Sequence, residues 1–158
     1  MPLNRPPAGF ASEWERRGEI QTRVVGATVT RPLLTDDAGN EFRSPDSALI
    51  VWVETQSLPA GRMSLRRWHN PLNDYAVLTE AVGGLRIKPA KFPTGAWLGG
   101  QLKGDHSLTP GGAGVLDVLA FETPAASARY LWLKLAATHV GERGVFAHEI
   151  PHEVWSKK

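Results

Sequence analysis

The sequence predicts an all-β fold, and more narrowly a two-sheet antiparallel sandwich of seven to eight strands. Sixteen glycines and twelve prolines lie between short apolar runs across 158 residues, which favours turns and short strands over long helices. Leucines alternate with other side chains in Tyr130–Ala136, the period of a strand. The run Val115–Phe121 is apolar except for Asp117, which predicts a central strand with both faces covered, around which the rest packs.

Composition places the chain among ordinary folded proteins of one domain. It is 42% hydrophobic and 22% charged, which argues against disorder and against fibrous repeats. The absence of cysteine excludes disulfides, a thiolate nucleophile and a zinc site built on cysteine. A net charge of +2 and a pI near 9.2 permit an anionic partner without requiring one. No apolar stretch reaches the roughly 20 residues of a membrane span.

The N-terminal residues 1–18 are predicted to form a proline-rich arm, and the domain proper covers residues 19–155. Within the arm, Ser12 is expected to cap one helical turn that stops at Gly18. Residues 20–34 are rich in β-branched side chains and predict the first strand, with a bulge at Gly26. Residues 35–40 contain Asp, Asn and Gly and predict a turn.

Two hairpins are predicted in the middle of the chain. The first joins a strand over residues 48–55, with Leu49, Val51 and Val53 facing the core, to a strand over residues 63–68 through a turn at residues 59–61. The second joins residues 75–79 to residues 85–88, with Leu85 and Ile87 facing inward. Residues 89–109 have no regular pattern.

The C-terminal third is predicted to contain a short turn and two more strands. Thr123 is placed to cap a helical turn over residues 124–128, with Pro124 at its first position. The strand Tyr130–Ala136 follows, and residues 141–144 turn into a last strand over residues 145–150 that ends at Pro151. If that strand lies at a sheet edge, its unpaired amides are available for a neighbouring copy.

The string His148-Glu149-Ile150-Pro151-His152 matches the H-E-x-x-H pattern of zinc proteases, but the sequence argues against that chemistry. The motif needs a helix, and Pro151 would break it. On a strand, the two histidines lie roughly 13 Å apart at about 3.3 Å per residue, and Glu149 faces the other way. We therefore predict no metal, no cofactor and no catalytic residues.

The remaining polar residues give no catalytic signature. His69, His106 and His139 fall near predicted turns without metal-ligand spacing, so they are expected to be solvated. The Asp-rich turn at residues 36–41 lacks the spacing of a calcium loop. Nucleophile-elbow, phosphate-loop and dinucleotide-binding motifs are all absent from the sequence.

A basic surface in the middle of the chain is the one candidate ligand site. Cations beside exposed aromatic rings can bind anionic glycans or single-stranded nucleic acid, although alternating cations are also typical of a solvated strand face. The candidate residues are Arg66, Arg67, Trp68, Lys91, Trp97 and Lys103.

In its order of motifs the chain resembles a bacterial immunoglobulin-like family of unknown function, of the kind found in lipoproteins and membrane-tethered proteins of planctomycete-like genomes. The resemblance covers about residues 20–151. Its marks include Leu33-Leu34-Thr35-Asp36, the strand over residues 48–54, Leu65-Arg66-Arg67-Trp68, Tyr75-Ala76-Val77-Leu78, Leu108-Thr109-Pro110-Gly111-Gly112, residues 117–124 and the final two strands.

The resemblance implies an immunoglobulin-like β-sandwich that works by contact with another protein or with a copy of itself. It supplies no catalytic residues. The chain shows no signal or anchor, so its location stays open, although relatives in that family are often exported. The alternative function is binding of carbohydrate or polyanion through the basic, Trp-containing surface.

Overall fold

The computed structural model describes residues 6–7, 9–58, 63–68, 75–80, 84–102, 106–108, 110–112 and 114–156, and it is all-β. A 3₁₀ helix covers Ala137–Val140, a single α-helical turn (α1) covers His152–Trp155, and no helix in this part of the chain is long and apolar enough to cross a membrane. The strands are β1 (Glu15–Arg17), β2 (Ile20–Thr30), β3 (Leu33–Asp36), β4 (Glu41–Arg43), β5 (Ala48–Ser57), β6 (Met63–Leu65), β7 (Ala76–Glu80), β8 (Arg86–Ile87), β9 (Ala96–Leu98), β10 (His106–Leu108), β11 (Val115–Phe121), β12 (Tyr130–Ala136) and β13 (Val145–Pro151).

Two four-stranded antiparallel sheets enclose the main core. The first sheet has the order β1-β2-β5-β11 and the second sheet has the order β13-β12-β7-β8. Every second side chain along the long strands points into the main core, so one face of each sheet turns toward the other. The main core contains Leu49, Val51 and Val53 from β5 and Leu131, Leu133 and Leu135 from β12, as predicted.

A small third sheet, β4-β3-β9, belongs to a second hydrophobic core on the outer face of the first sheet. Ile50 and Trp52 of β5, together with Val118 and Ala120 of β11, pack there against Leu34 and Leu98. The first sheet is therefore covered on both faces. This explains why β5 and β11 are apolar at nearly every position instead of at every second one.

The prediction that Val115–Phe121 is covered on both faces is confirmed for residues 117–121, whereas Leu116 is exposed; its position as the central strand is wrong. β11 is the last strand of the first sheet, and β5 lies between it and β2. Because the third sheet and residues 88–90 cover β11, this outer strand is as apolar as a central one. The strand β12, expected to be its partner, lies in the second sheet, where it pairs with β7 and β13.

The N-terminal segment forms a strand where a helical turn is predicted. Ser12 does not cap a helix: its backbone N–H donates to the carbonyl of Val24, and its hydroxyl accepts the N–H of Val24 at 2.9 Å. Pairing with β2 therefore overrides the local helix signal. Gly18 forms the hairpin turn to β2 with φ of 58°. The bulge predicted at Gly26 is confirmed by a register shift between Val24 and Gly26.

Three further local predictions are wrong. β6 pairs with β10 and not with β5, so residues 48–55 and 63–68 do not form a hairpin; the turn predicted at 59–61 lies outside the described residues. Leu85 lies in the turn before β8 and is 64% exposed, whereas Ile87 is buried as predicted. Residues 124–128 make a turn without a helix, and the Thr123 hydroxyl donates to the carbonyl of Ser47.

The two packed sheets have two lateral edges, and other segments of the chain lie beside both of them. On one side the Ala90 N–H donates to the Ala120 carbonyl and the Glu122 N–H to the Lys88 carbonyl, so residues 88–90 extend from β8 onto β11. On the other side the N-terminal segment lies beside β13: the Glu19 N–H donates to Glu142 at 2.9 Å. Thus β13 is an outer strand, as predicted, and the N-terminal segment lies near it at Gly144, beside Arg17, and at His148, which contacts Ser12.

Candidate functional site

The outer face of the second sheet, here called the open face, belongs to neither hydrophobic core of the described chain. It therefore contrasts with the first sheet, whose outer face is covered by the third. Tyr130 and Val145 on it are 37% and 41% exposed. Its members are Val77 and Thr79 of β7, Arg86 of β8, Tyr130, Trp132, Lys134 and Ala136 of β12, and Val145, Ala147, Glu149 and Pro151 of β13.

Trp132 lies at the middle of the open face and is half-buried. Strand register places Thr79 and Glu149 directly beside it on the neighbouring strands. Two residues along β12, Lys134 lies between Val77 and Ala147. The large indole therefore stands among smaller side chains, and an anionic and a cationic group border it. An aromatic side chain in such surroundings is typical of the anchor of a protein interface.

The size of the open face limits how strong a contact it can make alone. Four strands about 4.8 Å apart and six residues of about 3.3 Å rise give roughly 300–400 Å². A stable protein interface uses about 800 Å² on each partner. The open face by itself therefore suits a weak contact, unless neighbouring loops join it.

The structure separates the residues of the predicted basic surface. Trp68 is fully buried in the main core, where its ring lies 4.8 Å from that of His139 and edge-on to Phe146, so the prediction that it offers a stacking face is wrong. Trp97, in contrast, is half-buried on β9 of the third sheet.

The cationic residues of that predicted surface differ in their exposure. Arg66 and Lys91 are exposed and Arg67 is half-buried, whereas Lys103 lies outside the described residues. The Arg66 carbonyl contacts the His139 ring at 2.9 Å, and Tyr75 stacks on that ring at 4.2 Å. His139 is therefore half-buried and engaged, contrary to the solvated loop position predicted for it. His69 is outside the described residues, and His106 begins β10.

The Asp117 side chain accepts hydrogen bonds from several backbone N–H groups inside the core. It is fully buried, and its carboxylate accepts backbone N–H groups of Trp68 at 3.0 Å, of Leu102 at 2.9 Å and of Val118 at 2.9 Å. It thereby ties the segments after β6 and after β9 to β11. The signal in the sequence was the lone acid within an apolar run, since a buried carboxylate persists only with hydrogen-bond partners.

His148 is also buried, at 2% exposure, and each ring nitrogen faces a hydroxyl group. Nε2 lies 2.8 Å from Thr22 Oγ1 and Nδ1 lies 3.2 Å from Ser12 Oγ. Burial, and secondly the positive charge of Arg17, lower the pKa of His148 from 6.5 to about 4. The ring is therefore neutral at pH 7 and joins the N-terminal segment, β2 and β13.

The strand predicted for the H-E-x-x-H string is confirmed for residues 148–151, but it does not include His152. His148 points into the core from β13, Glu149 is exposed on the opposite face, and His152 begins α1. The His152 ring contacts the Ala128 carbonyl at 2.7 Å. The two histidines therefore have separate structural contacts. Within the described residues, no group of three or more potential ligand side chains could hold a metal ion.

Comparison with known proteins supports the fold. No family model and no curated protein matches the chain. Among solved structures, it is similar to the crystal structure of the yjhA protein from Bacillus subtilis, with a TM-score of 0.55 and 12% sequence identity over 88% of this chain and 95% of that chain. At this identity the likeness concerns the fold alone.

Proposed function

We propose that this chain is a non-enzymatic assembly module on an immunoglobulin-like sandwich, and that its open face binds the same face of a second copy. The observation that carries the proposal is Trp132 at the middle of a sheet face that belongs to neither hydrophobic core of the described residues. The paired four-stranded antiparallel sheets around one core support the immunoglobulin-like assignment. The size of the face makes the association weak and dependent on concentration.

The charges on the open face favour a second copy as the occupant. In a two-fold contact the same patch serves on both subunits, so it must be self-complementary. Lys134 and Glu149 lie on adjacent strands, near the same indole. In a two-fold contact, Lys134 of each copy can therefore lie opposite Glu149 of the other copy. A polyanion, in contrast, would meet Glu149 as well as Lys134 and Arg86, which makes the alternative function a poorer match for this face.

The open face replaces the edge of β13 as the proposed contact. Addition of a strand to that edge would first have to displace the N-terminal segment, whose Ser12 contacts His148 and whose Glu19 N–H donates to Glu142. Sheet-face packing displaces no described segment. We therefore assign the self-association predicted from the sequence to the face and not to the edge.

Substituting Trp132→Gln is expected to weaken self-association by about thirtyfold or more, because loss of an aromatic anchor typically costs about 2 kcal/mol or more. Sedimentation equilibrium across a wide concentration range measures the change. Leu116→Gln is the matched control, since Leu116 is an exposed apolar residue, at 39%, on the outer face of the first sheet. A wild-type chain that stays monomeric at high concentration overturns the proposal, as does equal loss in both variants.

A charge exchange tests whether the two copies meet face to face. Lys134→Glu alone and Glu149→Lys alone each oppose like charges across the two-fold contact, so each should associate less than the wild type. In an equal mixture, a copy with acidic groups at both positions can meet a copy with basic groups at both positions. Opposite charges then face each other again, so association should return. Failure of the mixture to associate more than either variant alone contradicts the pairing.

A further inference from the structure

Pro6 and Pro7 of the N-terminal arm lie against Gly26 at the bulge of β2. A Cβ atom built on Gly26 would be 3.0 Å from Pro6 Cβ, 3.1 Å from Pro7 Cδ and 3.3 Å from Cε3 of Trp52. The missing side chain therefore leaves a notch that the two proline rings close over, beside the buried indole. We call this depression the Gly26 notch.

The chemistry of the Gly26 notch suits a proline pair. Glycine allows another backbone to approach closely, and proline-rich segments bind against aromatic side chains with little loss of conformational entropy. Gly26 needs no left-handed backbone, because its φ is not among the positive values of the described glycines. Its lack of a side chain is therefore explained by the close approach of Pro6, Pro7 and Trp52, and not by the turn geometry that accounts for Gly18.

Gly9 lies between the proline pair and the anchored part of the arm. Gly9 has φ of 99°, and a Cβ there would meet nothing within 4 Å. On the C-terminal side of Gly9, Phe10 packs against the main core and Ser12 is bonded to Val24. Rotation at Gly9 can therefore move the proline pair while Phe10 and Ser12 stay in place.

We infer that the Gly26 notch is a docking site for the Pro6–Pro7 segment, and that this segment can leave its own notch and occupy that of a second copy. Exchange of identical elements between protomers is a low-cost route to assembly. This inference rests on the proposal that the chain assembles with copies of itself, but it uses a different surface from the open face. A proline pair of the same sequence supplies the occupant.

A peptide titration tests the docking chemistry in the full-length chain. The double variant Pro6→Ser, Pro7→Ser leaves the notch without its own proline pair. A labelled peptide of residues 1–9 should bind this variant at least tenfold more tightly than it binds the wild type, because the tethered segment competes at an effective concentration of about millimolar. Adding Gly26→Val should abolish the binding, with Gly26→Ala as the milder alternative and circular dichroism as the folding check.

Mixing two full-length variants tests exchange between copies. Gly26→Val has a closed notch and a displaced arm, whereas Pro6→Ser, Pro7→Ser has an open notch and no proline pair. In a Trp132→Gln background, which removes contact through the open face, an equal mixture should form a one-to-one complex by sedimentation, while neither variant does so alone. No peptide binding, or binding unaffected by Gly26→Val and Gly26→Ala, overturns the docking site; no complex in the mixture overturns exchange. Either result leaves the effect of Trp132→Gln alone as a separate test of the open face.

Discussion

Replacement of Asp117 by alanine is expected to lower the free energy of unfolding by at least about 3 kcal/mol, because three buried N–H groups lose their acceptor at roughly 1–3 kcal/mol each. The donors are the backbone N–H groups of Trp68, Leu102 and Val118. A domain of ordinary stability has only about 5–15 kcal/mol in total, so the loss is a large share. Urea unfolding followed by circular dichroism measures it.

The variant Asp117→Asn separates the shape of the side chain from its acceptors. One carboxylate oxygen accepts two of the three N–H groups, those of Leu102 and Val118, and the other accepts that of Trp68. An amide can keep the first oxygen but must turn its NH₂ toward the Trp68 N–H, so an intermediate loss is expected. Asp46→Asn, an exposed acid, serves as the control and should change stability little. A loss below about 1 kcal/mol in Asp117→Ala would contradict this role.

Asp117 shows how much of a buried polar contact can be predicted from the sequence. An acid inside an apolar run indicates a buried, hydrogen-bonded group, but its donors come from positions 49 and 15 residues away along the chain. No local pattern reveals such distant partners. Strands with strict alternation, such as Tyr130–Ala136, were predicted to the residue, because the period of a strand and the burial of one face follow from neighbouring residues alone.

Where the sequence prediction failed, a distant partner decided the structure. Ser12 has the residue type of a helix cap, yet Val24 takes its hydrogen bonds and makes the segment extended. The short strand β6 pairs with β10, about 40 residues later, instead of with the strand just before it. Trp68 and Trp132 look alike in sequence, but the first is fully buried and the second lies on the open face. Which tryptophan lies outside the hydrophobic cores depends on sheet packing, so the candidate site could not be located from sequence.

Lowering the pH from 7 to 5 is expected to destabilise the chain by about 2 kcal/mol through His148 alone, since one pKa unit corresponds to about 1.4 kcal/mol. Its pKa is lowered to about 4 in the folded chain from 6.5, by burial first and by Arg17 second. Between these values the unfolded chain binds the proton and the folded chain does not. The stability contribution is therefore complete above pH 6.5, falls as the pH drops, and changes no further below about pH 4.

His148→Gln isolates this contribution, because glutamine retains polar atoms near Thr22 and Ser12 but does not titrate. The difference in unfolding free energy between wild type and variant should shrink steadily from pH 7 toward pH 4, whereas titration of carboxylates is shared by both chains and cancels. A difference that stays constant over this range would mean that the protonated ring is accommodated as readily in the folded chain as in water. In that case the contacts of His148 with Ser12 and Thr22 would hold the N-terminal segment equally well at pH 4 and pH 7.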